Sequence, residues 1–304
     1  MQYRKQIIEQ HQQIDFEQSL AVRETLRFGI PPILSTGGYN DTFLRFVAQV
    51  FQNKILKCSS TLGFVVKAID YINRTTNDCF FKLIGPVNMK INETGKIDQS
   101  LKPNKHYFSL KESLYPYLLV NLRSGATFHV VESKDKFRRV CGTTIGVSFA
   151  VGILRYMDMF QGPTEMCEAA RNGDSSKIDM SVGDIYGNSA YEGVGLGKNM
   201  IASSFGRLKD ASSDEISENI SAGDISRSLI TLIAANNLIF SRLVAKMENI
   251  KRVVWIGSHI DLPDYMHMSE QGFARLTNQE AELIFPTYTS FLGSLGLLLS
   301  QSNF

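Results

Sequence analysis

The sequence predicts an α/β fold, and three observations carry that prediction. Between Tyr115 and Cys141, three short runs of β-branched, aromatic and apolar residues are separated by two tight turns, the pattern of an antiparallel meander. The meander leads through Gly142-Thr143-Thr144-Ile145-Gly146 into an apolar helix, so the N–H groups of a helix N-terminus face the first hairpin turn. Two further buried-strand runs, Arg252–Ile256 and Glu282–Phe285, then alternate with helical periodicity.

The elements follow in order. Residues 2–26 are rich in Gln, Glu and Arg, with Ile7, Ile8, Ile14, Leu20, Val22 and Leu26 spaced for a helical lead-in. Ile30–Ser35 reads as a short strand that Thr36-Gly37-Gly38 turns into a helix over Asp41–Phe51; a second helix covers Leu62–Ile72, and Asn73–Asp78 is loop. Residues 84–113 carry Pro, Gly, Asn and Lys without periodicity and read as a long connection, which divides the chain at 1–113 and 114–304. The meander places strands at Tyr117–Leu122, Ala126–Glu132 and Phe137–Cys141, turning at Arg123-Ser124-Gly125 and Ser133–Lys136. Ile145–Met159 is apolar nearly all round and therefore a buried helix, and Thr164–Arg171 is another, stopped by Asn172-Gly173. The Gly- and Ser-rich stretch Asp184–Gly206 reads as functional loop or core turn. Asp224 can cap a long helix, Ile225–Met247, striped by Ile225, Leu229, Leu232, Ile233, Phe240 and Leu243. Gly257 exits the Arg252–Ile256 strand, and helices near Met266–Leu276 and Phe291–Ser300 flank the last strand.

Composition excludes several function classes. A net charge of +2, with no Lys/Arg run longer than two, argues against a nucleic-acid partner. Cys58, Cys79, Cys141 and Cys167 lack C-x-x-C spacing, and the five histidines are dispersed, so neither a disulfide framework nor a metal cage is expected. An N-terminus that contains acidic residues and lacks an apolar core points away from a secretory signal. The apolar runs Ile145–Leu154 and Phe291–Leu299 fall short of a membrane span, so a cytoplasmic protein is expected, with the mitochondrion left open.

NLRSG, SKDKFRRV and GTTIG, followed by NGDSSKID, DIYG, ASSFG, the pair Asn236-Asn237 and RVVWIG, stand in the order in which the eukaryotic-type (type II) pantothenate kinase family carries similar motifs. The chain resembles that family from Ile33 to Leu299. The resemblance implies an actin/hexokinase-like (ribonuclease-H-like) fold with a complete C-terminal half. A truncated N-terminal half is expected, because no Asp-x-Gly-Gly turn stands upstream of Ile30. It also implies ATP-dependent phosphorylation of pantothenate, the entry step to coenzyme A, with ATP and Mg as cofactors.

By the same resemblance, Asn121, Ser124, Gly125, Gly142, Thr143, Thr144, Gly146 and Gly257 fall at nucleotide-binding positions, and Thr127 and Arg139 at positions that hold pantothenate. The departures are chemical. The family's general base, a Glu, is replaced by Thr61, whose hydroxyl is no useful base near neutral pH. Arg123 replaces the first glycine of the phosphate turn, where it either pairs with phosphate or fills its space, and Gly146-Val147-Ser148 replaces three glycines. The segment FPTYTSF departs from the family's acidic, glycine-bearing one. A degenerate kinase, inactive alone, is therefore expected. Its rival is a non-catalytic structural or regulatory subunit, or the partner of an active pantothenate kinase, associating as a homo- or hetero-oligomer through the Ile225–Met247 helix and the Ile30–Ser35 strand.

Overall fold

A computed structural model describes residues 33–36, 55–58, 61–84, 104–110, 114–160, 162–187, 197–257, 273, 277 and 280–301. The expected lead-in at residues 2–26, the helix over Asp41–Phe51 and nearly all of the one near Met266–Leu276 lie outside these residues.

The chain divides into two compact units, one formed by Met1–Tyr71 with Ser290–Phe304 and the other by Ile72–Thr289. In the first, strand β1 (Ile33–Thr36) pairs in parallel with β2 (Ile55–Cys58), a strand that the sequence reading missed. Helix α1 (Thr61–Thr75) starts in this unit and runs on through Asn73, where a loop was expected. The C-terminal helix of the chain (Leu292–Gln301) also belongs here. Its Gly296 presses so closely on α1 that an added Cβ would overlap the carbonyl oxygen of Phe64, and Lys67 Nζ reaches Ser300 Oγ at 3.5 Å.

The second unit is built on a seven-stranded sheet. Its strands are β3 (Phe80–Ile84), β4 (Asn104–Phe108), β5 (Tyr117–Leu122), β6 (Ala126–Ser133), β7 (Lys136–Thr143), β10 (Arg252–Ile256) and β11 (Glu282–Pro286), in the spatial order β4-β3-β11-β10-β5-β6-β7. A separate two-stranded pair, β8 (Met180–Ser181) and β9 (Ile201–Ser203), lies between them in sequence. β5, β10 and β11 run parallel, while β6 is antiparallel to both β5 and β7. This arrangement is the ribonuclease-H-like core of an actin/hexokinase-like fold. β5 and β10 match the expected strands residue for residue, YLLVNL and RVVWI being apolar but for Asn121 and Arg252, as suits strands buried on both faces.

β4 falls within residues 84–113, read from sequence as a long connection, and corrects that reading there; residues 85–103 and 111–113 lie outside the described ones. β3 joins the sheet antiparallel to β11, and β4 closes that edge. Its polar sequence NKHYF is tolerated because the basic stems lie over rings, Lys105 at 4.5 Å from the centroid of Phe81 and Lys82 at 5.4 Å from that of Phe108. Glu282 fastens β3, β11 and β10 together by accepting from Lys82 Nζ and Arg252 Nε, each at 2.7 Å. Burial works against its charge, but the two cations hold its carboxyl below the ordinary range. The opposite edge, β7, exposes Lys136, Arg138 and Arg139, charges that discourage edge-to-edge pairing.

Helices α2 (Val147–Tyr156) and α3 (Pro163–Ala170) follow the meander, α4 (Val182–Tyr186) follows β8, and α5 (Ser213–Asn219), unforeseen from sequence, precedes the long α6 (Ala222–Met247); the C-terminal helix is α7. α6 packs on β5, β6 and β10. Phe240 meets Phe128 at 5.8 Å between ring centroids, and Trp255 Nε1 donates to Ser241 Oγ at 3.1 Å. α6 begins one residue turn earlier than expected, because its N-cap is Ser221 and Asp224 is the third residue of a capping box. Asp224, buried, also accepts from the backbone N–H of Asp174 at 2.7 Å and from Lys177 Nζ at 3.2 Å. By length and composition α6 could cross a membrane, which the sequence reading overlooked, yet over half of the stretch is buried in the protein, as in a core helix.

Candidate functional site

The meander sets the site. Asn121 on β5 pairs in register with Thr127 on β6, and Thr127 with Gly142 on β7, so the three form a row across one face of the sheet. The next row along is Leu119, His129 and Arg139. Opposite Phe128 and His129 the β7 partner jumps from Cys141 to Arg139, leaving Val140 as an extra bulged residue. That bulge brings Arg139 onto the face of Thr127.

At the end of the first row the two turns meet. The Arg123–Gly125 turn closes with the Arg123 N–H donating to Gly125 O at 2.7 Å. A Cβ on Gly125 would stand 2.5 Å from Thr143 O, and one on Gly146 would overlap the carbonyl oxygen of Ser124. Backbone therefore touches backbone, and only glycine fits at these two positions. Gly146 is the N-cap of α2 and no side chain caps it; Thr143 Oγ1 instead accepts from the Ile145 N–H at 3.1 Å.

A cleft of about 300 Å³ opens beside this contact, lined by Asn121, Arg123–Thr127, Arg139 and Gly142–Thr144. The structure thus gathers eight residues singled out from sequence: Asn121, Ser124, Gly125, Thr127, Arg139, Gly142, Thr143 and Thr144. Two others stand outside the lining. Gly146 braces the turn, and Gly257, at φ +132°, abuts the carbonyl of Leu122. Thr61 opens α1 in the other compact unit.

The chemistry of the lining is one-sided. It holds two guanidinium groups, four hydroxyls and an amide, and among the described residues no carboxylate. Arg123 Nε lies 3.4 Å from Asn121 Oδ1, and Arg139 Nη2 lies against Gly142, 2.7 Å from where a Cβ would be. Such a donor set suits a carboxylate or phosphate oxygen. A divalent cation has no carboxylate to meet there.

Two buried titratable groups were not foreseen, His129 in the row next to the cleft and Asp179 against α6. His129 is 7% exposed and its Nδ1 has no hydrogen-bond partner among the described residues; burial, then the charge of Arg139, pushes its pKa below the ordinary range. Counting two residues on from Thr127 would have put it on the same face, but the bulge aligning it with Arg139 leaves no mark in the sequence. Asp179, 4% exposed, accepts from the Phe205 N–H at 3.0 Å and from Ser228 Oγ, and burial pushes its pKa up. Arg207 ties the same segment together, donating to the carbonyl of Asp179 at 3.1 Å and to Asp184 at 2.6 Å. The buried carboxylate of Asp179 thus ties Phe205, near the end of the Asp184–Gly206 stretch, to Ser228 of α6.

The family described as Fumble matches residues 1–300 of the chain. "Pantothenate kinase 2" of Oryza sativa subsp. japonica is 37% identical over 202 residues, 66% of this chain and 22% of that protein. "Pantothenate kinase 1" of Arabidopsis thaliana is 34% identical over 191 residues, 62% of this chain and 49% of that one. The chain spans about half the length, or less, of these relatives. Among solved structures, the activator of the 2-hydroxyisocaproyl-CoA dehydratase from Clostridium difficile with bound ADPNP aligns over 91% of this chain and 78% of its own at 13% identity, with a TM-score of 0.40, too slight a likeness to build on. With a match that runs nearly end to end, the chain belongs to the Fumble family, the eukaryotic-type pantothenate kinases.

Proposed function

We propose that the cleft is a pantothenate site in a kinase-family protein that does not phosphorylate pantothenate by itself and serves as a non-catalytic or regulatory subunit. One observation carries the binding half of this reading. Thr127 and Arg139 share a cleft with Asn121, Ser124, Thr143 and Thr144 in which every charged group is a cation. The guanidinium of Arg139 would take the ligand's carboxylate in a bidentate pair, with the hydroxyl of Thr127 beside it. Where ATP enters, its role is to supply the transferred phosphoryl group; the Ser124-Gly125 turn and the hydroxyls of Thr143 and Thr144 are the groups placed to meet its phosphates.

The non-catalytic half rests on Thr61 at the general-base position and on Arg123, whose side chain lines the cleft where the family has a bare glycine. Titration calorimetry with pantothenate tests the site. Wild-type chain is expected to bind, Arg139→Ala to bind undetectably, and Arg139→Lys to lose about tenfold, since an ammonium cannot reproduce the planar fork. Equal affinity in all three proteins would remove Arg139 from the site.

We further propose that a second copy of the chain covers α6. Ile239, Leu243 and Met247, spaced four apart on one face, are 50, 49 and 80% exposed, an apolar stripe of the kind that pairs helices. Sedimentation of the purified chain should give a dimer that Leu243→Glu converts to monomer. A wild-type monomer at micromolar concentration would rule the pairing out.

A further inference from the structure

His129 is an unusual residue to place under an arginine. Its imidazole lies in the row next to Asn121, Thr127 and Gly142, in register with Arg139 on one side and Leu119 on the other. It is 7% exposed, and Nδ1 is enclosed without a partner among the described residues. A leucine would fill that space without burying a polar nitrogen, and a buried ring nitrogen left unpaired is costly. The cleft next to it, lined by Arg139 and Thr127, has the donor set of an anion site.

We propose that His129 makes this site proton-coupled: when Arg139 takes up the carboxylate of the ligand, the imidazole takes up a proton from solvent, so that anion and proton bind together. The inference rests on the reading of the cleft as a pantothenate site and adds to it a dependence on pH.

The physical argument is one of charge balance. In the free protein two influences disfavour the protonated ring, burial first and the positive charge of Arg139 second. Among the described residues, Arg139 on β7 is the charge acting on it, while its β5 neighbour is the apolar Leu119. A carboxylate bound to the guanidinium cancels that repulsion and puts a negative charge within reach of the ring, which favours the imidazolium. By linkage, the ligand then binds more tightly as pH falls from the bound-state pKa of His129 toward its lowered free-state pKa, by up to about tenfold per pH unit, and the gain stops below the latter. A carboxylate ligand loses its own charge only near pH 4.3, approximately, in a separate and more acid window.

Calorimetry of the whole chain with pantothenate, from about pH 5.5 to about pH 8 and in two buffers of different ionisation enthalpy, tests this across the ordinary histidine range. Wild-type protein is expected to take up a proton on binding, approaching one per ligand in the window, with affinity rising as pH falls. His129→Leu and His129→Gln should bind with no uptake and with a pH-independent affinity close to the alkaline value of the wild type. Uptake that persists in both variants, or wild-type binding without uptake, overturns the inference and leaves the pantothenate reading standing. No binding by wild-type protein at millimolar pantothenate overturns both.

Discussion

Replacing Gly257 with alanine is expected to lower the melting temperature of the chain by about 6–12 °C. The residue ends β10 at φ +132°, a backbone conformation that a side chain makes strained, at about 1–3 kcal/mol. A Cβ there would overlap the carbonyl oxygen of Leu122 and stand 3.2 Å from Leu122 Cα. What it meets is backbone of the central strand β5, not a flexible side chain, so overpacking adds about 1–3 kcal/mol. A combined cost of about 3 kcal/mol corresponds to the shift given, at about 2–4 °C per kcal/mol for a unit of this size. Gly152 in α2 provides the control, because an added Cβ there meets nothing within 4 Å. Gly152→Ala should be neutral or slightly stabilising, since alanine is the better helix residue by about 0.5–1 kcal/mol. Thermal unfolding of both variants checks this, and a Gly257→Ala protein that melts with the wild type would show that β5 gives way at Leu122 without cost.

What the sequence revealed of this fold depended on how each element is buried. β5 and β10 are buried on both faces and show as runs that are apolar but for Asn121 and Arg252; β6, buried from Phe128 to Val131, is rich in β-branched and aromatic residues, and the turns of the meander carry Gly and Ser. β4 is the counterexample. As an edge strand it needs only one apolar face, and NKHYF satisfies that with a few ring contacts, so no periodic signal survives. The start of α6 was misplaced for a different reason: Asp224 is a good cap residue by type, but it acts at the third helical position, and Ser221 one turn earlier takes the cap.

The candidate site was legible to the extent that its residues are glycines and hydroxyls next to turns. Their partners were not. That Gly125 and Gly146 exist to let two turns touch, and that Gly257 serves the packing of β10 on β5, follow only from backbone distances. His129 was hidden because its neighbour in space, Arg139, reaches it across a bulge. Arg123 was noted as a departure with two possible meanings, and the structure places it in the lining beside Arg139.

On the reading proposed above, the cleft binds an anion while Thr61 stands where the family has its general base. At neutral pH a threonine hydroxyl cannot accept the proton that leaves as phosphate is transferred, and loss of a positioned general base costs about 10²–10⁴-fold in rate. Kinases of ordinary efficiency turn over at about 1–100 s⁻¹. The direct measurement is turnover of labelled pantothenate by the purified chain with saturating Mg-ATP, made on the same preparation that binds pantothenate in the calorimeter. The account predicts binding with turnover below about 0.01 s⁻¹, a hundredfold under the slow end of that range. Turnover near 1 s⁻¹, abolished in Arg139→Ala, would contradict it, because the chain would then be a working kinase whose base is some residue other than Thr61.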